Sequence, residues 1–314
     1  MKDELSILIP TYNDDCYELV ASLQAQADAI DGLKYEILVS DDASSSTRII
    51  MNNRRINDLP HSRFIENAVN RGRSGNRNAL MKEAQYAWLL FVDARRSIVR
   101  DDFLLKYLST ADDERAIYGA YIVVGDENDL KGNLRFLYER QLEPRHAVEK
   151  RQLKPEMDFN ASNFFIERKL MEEHPFDERF SMYGYEDVLF GKELTLSGTS
   201  ITHIDNPVGF SRFEDNTTFV KKTEAAMQTL YAFREALLPY SRLLQFYKGH
   251  SRITSFVLWL YRRNRKSWKH NLHSDKPSLK KFQLYKLGYY ATIVKKAAEK
   301  NIDKTTKDNN LSNG

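Results

Sequence analysis

The chain has 314 residues, 42% of them hydrophobic, and a formal net charge of +3, a size that suits one large domain or a domain with an appendage. Its single cysteine, Cys16, excludes a disulfide framework and a cysteine-based metal cluster and points to a reducing compartment. No stretch reaches the roughly 18 uncharged residues of a membrane span, and the apolar residues 5–9 behind a charged start are too few for a signal peptide, so a soluble chain is expected.

Residues 5–9 read as a buried strand ending at Pro10, and Tyr17, Leu19, Val20, Leu23 and Ala27 then recur at helical spacing. A second strand (35–39), a second helix (48–56), a short third strand (64–65), a third helix (74–86) and a fourth strand (87–92) follow. Apolar strands alternating with helices imply an α/β fold with a parallel sheet covered on both faces, as in doubly wound proteins. Ligands of such sheets bind beyond the carboxyl ends of the strands. Thr11-Tyr12-Asn13, Asp41-Asp42-Ala43-Ser44 and Asp93-Ala94-Arg95 occupy those ends. Past residue 100 the pattern loosens into a strand (116–124), a long helix or loop (130–152), a strand (159–166), a last short strand (201–204) and a helix (219–238). No internal repeat is present.

Phe176-Asp177-Glu178-Arg179-Phe180-Ser181-Met182-Tyr183-Gly184-Tyr185-Glu186-Asp187 surrounds an acid pair with aromatics and opens an apolar helical run. Such a pair is ordinarily a cap. It also suits general-base work, one carboxylate abstracting a proton while backbone N–H groups and the helix dipole hold the other. Asp177 and Glu178 read as a salt-bridged surface turn.

With the motifs Ile7-Leu8-Ile9-Pro10-Thr11-Tyr12-Asn13, Val39-Ser40-Asp41-Asp42-Ala43-Ser44, Asn70-Arg71-Gly72-Arg73-Ser74-Gly75-Asn76-Arg77-Asn78, Phe91-Val92-Asp93 and Glu186-Asp187 in this order, the chain resembles the family 2 glycosyltransferases. The resemblance covers roughly residues 4–240 and implies a GT-A fold, a doubly wound mixed α/β sheet, here with a C-terminal helical extension. It implies transfer of a sugar from a nucleotide-diphosphate donor, a UDP-sugar, to a saccharide or lipid-linked acceptor for a surface polysaccharide. Asp187 is then the general base of an inverting reaction and Glu186 orients an acceptor hydroxyl or caps the helix. Pro10, Thr11 and Tyr12 lie along the nucleoside. Asp41 and Asp42 either accept the uracil N3–H or bond their own turn. Arg73 and Arg77 either pair with phosphate and base or form a solvated basic face. Asn163 either faces donor sugar and acceptor or is a buried amide satisfying backbone.

The family holds Mg²⁺ or Mn²⁺ through an Asp-x-Asp motif and a histidine beyond an Asn-Pro pair. Here Asp93 is the one metal-ligand candidate retained, since Arg95 replaces the second acid and Phe210 stands at the histidine position. Three outcomes stay open: a metal-independent transferase in which Arg95, aided by Arg96, faces the diphosphate; a homologue that binds nucleotide or glycan, or acts as a scaffold, without transfer; and a metal enzyme with displaced ligands. His203 is the substitute ligand in the last case and a structural histidine otherwise.

Charge divides the chain near Pro239. Residues 1–239 carry 30 Lys/Arg and 40 Asp/Glu, whereas 240–300 carry 15 Lys/Arg against Asp275 and Glu299 alone. The expected organisation is a GT-A domain over 1–239, a basic helical extension over 240–300 and a disordered tail over 301–314. Ile253, Phe256, Val257, Leu260 and Tyr261 form an amphipathic stripe ahead of Arg262, Arg263, Arg265 and Lys266. The stripe either packs onto the body or lies on anionic lipid, and the second option implies peripheral attachment at the cytoplasmic face of the membrane. No nucleic-acid recognition motif is present among these cations, so nucleic acid is not an expected partner.

Overall fold

A computed structural model describes residues 1–180 and 183–312, the side chains of 300–312 excepted. The first of its two compact units comprises residues 1–126, 139–181 and 185–213. Ten strands lie in it: β1 (Glu4–Thr11), β2 (Lys34–Asp41), β3 (Ser62–Glu66), β4 (Trp88–Val92), β5 (Arg96–Ile98), β6 (Ala116–Tyr118), β7 (Tyr121–Val123), β8 (Asn163–Glu167), β9 (Ile201–His203) and β10 (Val208–Phe210). Seven form one sheet in the order β3-β2-β1-β4-β8-β6-β9. The pairs from β3 to β4 are parallel, β8 runs antiparallel to both β4 and β6, and β9 is parallel to β6, so the sheet is mixed. The remaining three form a small sheet, β5-β10-β7.

Period-two alternation sorts the apolar strands onto two faces. Leu5, Ile7, Ile9, Ile37, Val39, Leu90 and Val92 pack with Leu19, Val20, Leu23 and Ala27 of the Tyr17–Asp28 helix. Leu8, Leu38, Leu89 and Phe91 pack on the other side with Leu80 and Met81 of the Gly72–Glu83 helix and Phe190 and Leu194 of the Glu186–Leu196 helix. Strand residues between two covered faces are therefore mostly apolar, and the buried serines among them, Ser6 and Ser40, donate to Glu36 and Asn76.

The single strand expected over 116–124 is two strands in two sheets. The break falls at Gly119 and Ala120, the latter at φ 68°. A Cβ on Gly119 would meet Tyr107 Oη at 2.1 Å and the Asn206 carbonyl at 2.4 Å, so only glycine lets the chain cross there. The long element expected over 130–152 is several short ones, including the helices Leu134–Leu142 and Val148–Arg151.

The second unit comprises residues 127–138, 182–184 and 214–314. Its helices Asn216–Ala232, Ser251–His273 and Leu279–Ser312 carry a separate core in which Leu134, Phe219, Tyr261, Trp268, Phe282 and Tyr285 are buried. The step in charge at Pro239 therefore lies inside this unit, and the helix from Asn216 belongs with the basic helices. Across the expected disordered tail the backbone continues as helix to Ser312, and residues 313–314 lie outside the described ones. Among the described residues no helix is long and apolar enough to cross a membrane.

Candidate active site

β1 and β2 end level with one another, Thr11 opposite Asp41. Beyond them Asn13 (φ 53°) and Ala43 (φ 59°) take left-handed backbone, a strained choice for residues with a Cβ. Side chains hold the two turns together. Asn13 N–H donates to Ser44 Oγ at 2.6 Å, and Asn13 Oδ1 accepts from the Ser45 and Ser46 amides at 2.9 and 3.0 Å. Asp41 accepts from the Ser44 amide at 2.9 Å and from the Ser44 hydroxyl, so its carboxylate ties its own turn. Buried Asp42 accepts from the Arg71 amide at 2.7 Å. Burial raises its carboxyl above the usual range, and the Arg71 and Gly72 amides offset only part of that. Thr11 is buried and donates to the Asp14 carbonyl at 2.9 Å, Pro10 is half-buried, and Tyr12 beside them is 49% exposed.

Two arginines of the Gly72–Glu83 helix gather acids from separate elements. Arg77, only 2% exposed, donates through Nη2 to Asp93 Oδ1 at 2.9 Å, and its Nη1 lies 3.5 Å from Glu186 Oε1. The second contact is an ion pair without hydrogen-bond geometry, which leaves Arg77 Nε and Nη1 buried without a hydrogen-bond acceptor. Arg73, largely exposed, reaches the same Glu186 oxygen at 3.5 Å. Burial pushes the Asp93 carboxyl up, but the guanidinium groups of Arg77, Arg73 and Arg96 outweigh it and leave it below the ordinary range. Arg77 is thus no solvated face; it is a buried cation between two acids.

Glu186 and Asp187 open the Glu186–Leu196 helix after Tyr185, itself at φ 70°. Glu186 is buried against the arginines, whereas half-buried Asp187 accepts from Asn160 Nδ2 at 2.9 Å. Burial, and then the charge of Glu186, raise the Asp187 carboxyl well above the usual carboxylate range. A carboxylate so raised and still partly open is suited to taking a proton near neutral pH.

Arg95 stands elsewhere than the sequence suggested, and Asn163 takes the second of its two readings. Arg95, expected to face a diphosphate, is closed in a forked ion pair, its Nε 2.8 Å from each oxygen of Asp14. Asn163, a candidate donor contact, is a fully buried amide. It donates to the Ala120 and Asn206 carbonyls, both at 2.8 Å, and accepts from Tyr107 Oη at 2.7 Å, so both of its donors are spent and its burial closes it to a sugar. The amide that touches the acid pair is Asn160, three residues earlier, a choice that only the packing of the two segments decides.

Arg96 is the residue whose place sequence could not supply. β5 pairs with β10 so that Arg96 faces Phe210, and its guanidinium lies 4.1 Å over the Phe210 ring and 4.7 Å from the Tyr121 ring. A divalent cation does not fit this surround. Asp93 is already ion-paired, guanidinium groups stand at 77 and 96, and Phe210 offers no donor atom. Among the described residues no three His, Cys, Asp or Glu side chains are grouped to hold a metal. His203 is no substitute: its Nδ1 accepts from Arg151 at 2.8 Å and its Nε2 donates to the Pro155 carbonyl at 3.0 Å. Burial first, then Arg151, lowers its pKa to about 4, so it stays neutral and structural.

Comparison with solved structures places this fold among known ones. TarS of S. aureus (residues 1–349, in complex with UDP) overlays with a TM-score of 0.54 at 17% identity, over 95% of this chain and 92% of that one. The mannosyltransferase PcManGT of Pyrobaculum calidifontis, in complex with GDP-Man and Mn²⁺, overlays with a TM-score of 0.54 at 14% identity, over 94% and 87%. At such identities the likeness is one of fold. No curated protein matches the sequence. Residues 6–174, more than half of the chain, match the family described as Glycosyl transferase family 2, and the chain belongs to that family of glycosyltransferases, on the GT-A fold.

Proposed function

We propose that this protein transfers a sugar from a UDP-sugar to a saccharide or lipid-linked acceptor, with inversion at the anomeric carbon and without a divalent cation. The observation that carries the reading is the raised, half-open carboxyl of Asp187 beside buried Glu186 and Arg77 and the half-buried Asp93 that Arg77 holds. In the step, an acceptor oxygen forms a bond to the anomeric carbon as the bond from that carbon to the diphosphate oxygen breaks. The acceptor proton passes to Asp187, and the electron pair of the broken bond leaves with UDP. Attack from the side opposite the leaving group inverts the centre.

Tyr12 offers a half-exposed ring against which a base stacks, and Asp42 lines the same strand ends. UDP is the nucleotide chosen because TarS, the fold neighbour, was solved with UDP and with UDP-GlcNAc. The metal-independent part rests on the poor fit of a dication to the residues at 93, 95 and 210. Peripheral contact with the cytoplasmic face of a membrane is part of the proposal, through the exposed Ile253, Phe256 and Trp259 among arginines.

A panel of UDP-, GDP- and other nucleotide-sugars, assayed for nucleotide release with and without acceptor saccharides, tests this. Release from a UDP-sugar, lost in Asp187→Asn, is the expected result. Tight UDP binding without turnover on any acceptor favours the non-catalytic binding homologue, and release from GDP-sugars alone overturns the choice of nucleotide.

A further inference from the structure

We propose that Arg96, backed by Arg77, is the group that neutralises the donor's diphosphate, the guanidinium over Phe210 occupying the place of the dication. This rests on the nucleotide-sugar reading above and deepens it, making Arg96, which the sequence offered only as an aid to Arg95, the principal diphosphate contact.

Arg96 is 9% exposed, and its Nε and Nη1 are buried without a hydrogen-bond acceptor. A buried guanidinium with unmatched N–H groups is costly by itself; cation–π contact with Tyr121 and Phe210 recovers only part of what water provided. Arg77, bonded to Asp93 Oδ1, repeats the pattern, with Nε and Nη1 equally unmatched. Two buried cations therefore act on one carboxylate, and both keep donors in reserve. An oxyanion that brings several acceptor oxygens satisfies this arrangement, and a diphosphate does so with its own negative charge.

Neighbouring charges favour Arg96 over Arg95. The Arg95 charge is compensated by Asp14 at 2.8 Å, whereas the Arg96 backbone amide bonds the Asp93 carbonyl at 3.0 Å and turns the side chain back over β10. A fixed cation there stabilises the nucleotide as it leaves, the task a metal performs in other transferases.

The test is calorimetry of the full-length protein with UDP and with uridine, in EDTA and in MnCl₂. Wild type is expected to bind UDP with the same Kd, within twofold, in both. Arg96→Leu is expected to weaken UDP at least 30-fold, Arg96→Lys to recover about a third of that loss on a logarithmic scale, and both to bind uridine as wild type does. Intact uridine binding reports that the variant is folded. UDP binding that vanishes in EDTA and returns with Mn²⁺, or Arg96→Leu that binds UDP normally, overturns the inference while leaving the transferase reading intact. Failure of wild type to bind UDP or uridine in any buffer removes the donor reading itself, and this inference with it.

Discussion

The acid pair has a pH signature. Asp187 works only when ionised, and burial together with Glu186 holds its proton to a higher pH than an ordinary carboxyl would. Activity should therefore fall as pH drops through this raised pKa, above the roughly 4 of a free aspartate. In Glu186→Gln the second cause of the shift is gone, so the acid limb of kcat/KM should move to lower pH; an unmoved limb rules out Asp187 as the base. Asp187→Asn should lower kcat by about 10²–10⁴ with UDP affinity kept within about twofold. The same substitution has a sign for stability. A carboxyl whose folded pKa is raised binds its proton more tightly folded, so stability is full below the unfolded pKa and declines as pH rises through the folded one. At pH 8 the wild type bears that ionisation cost, and Asp187→Asn should melt higher, by the equivalent of about 1 kcal/mol. Gly119→Ala should do the reverse, costing about 1–3 kcal/mol, because its Cβ would sit 2.1 Å from Tyr107 Oη.

Elements differed in how far the sequence disclosed them, for physical reasons. β1, β2 and β4 are buried on both faces, so their apolar runs stand out. β5 and β10 are three residues each and carry Arg, Ser and Gly, and they pair within a small three-stranded sheet where aromatic rings cover Arg96. No period survives in so short a strand. The acid pair and Asp93 were legible as motifs, and Arg96 as an aid to Arg95; the pairing of Arg95 with Asp14, the seat of Arg96 over Phe210 and the contact of Asn160 were not, since each depends on which distant element the fold brings alongside. In the second unit, the five-residue apolar stripe seen in sequence divides: two residues are core, Leu260 is partly buried, and Ile253 and Phe256 are exposed beside Trp259. Val257 and Tyr261 are buried, while Phe256 and Trp259 stay 58% and 56% exposed and stack on one another, ring centroids 5.9 Å apart. Aromatics left outward among Arg252, Arg262 and Arg263 suit a lipid interface. Phe256→Ser with Trp259→Ser should cut sedimentation with anionic vesicles several-fold and leave turnover on a soluble acceptor unchanged; undiminished sedimentation counts against the membrane contact.

At the scale of the molecule, the charge step suggested a cut at 239, and the packing suggests a different outcome for it. Leu134 and Phe219 share a buried cluster with Tyr261, Trp268 and Phe282. A fragment of residues 1–239 keeps the first two and loses the other three. It should therefore aggregate or bind a hydrophobic dye strongly, whereas full-length protein should not; a soluble, cooperatively melting 1–239 fragment refutes this organisation.

One bond in that cluster bears on how the chain is made. The Leu134 amide donates to Asn216 Oδ1 at 2.7 Å, 82 residues further along. At a synthesis rate of about 5–20 residues per second, Leu134 waits on the order of 4–16 seconds for that acceptor to emerge from the ribosome. The segment 127–138 thus interrupts the nascent first unit, with Leu134 lacking its core partners until they emerge. Slower translation lengthens its exposure, and a holding chaperone that covers it for those seconds would raise the yield of native protein.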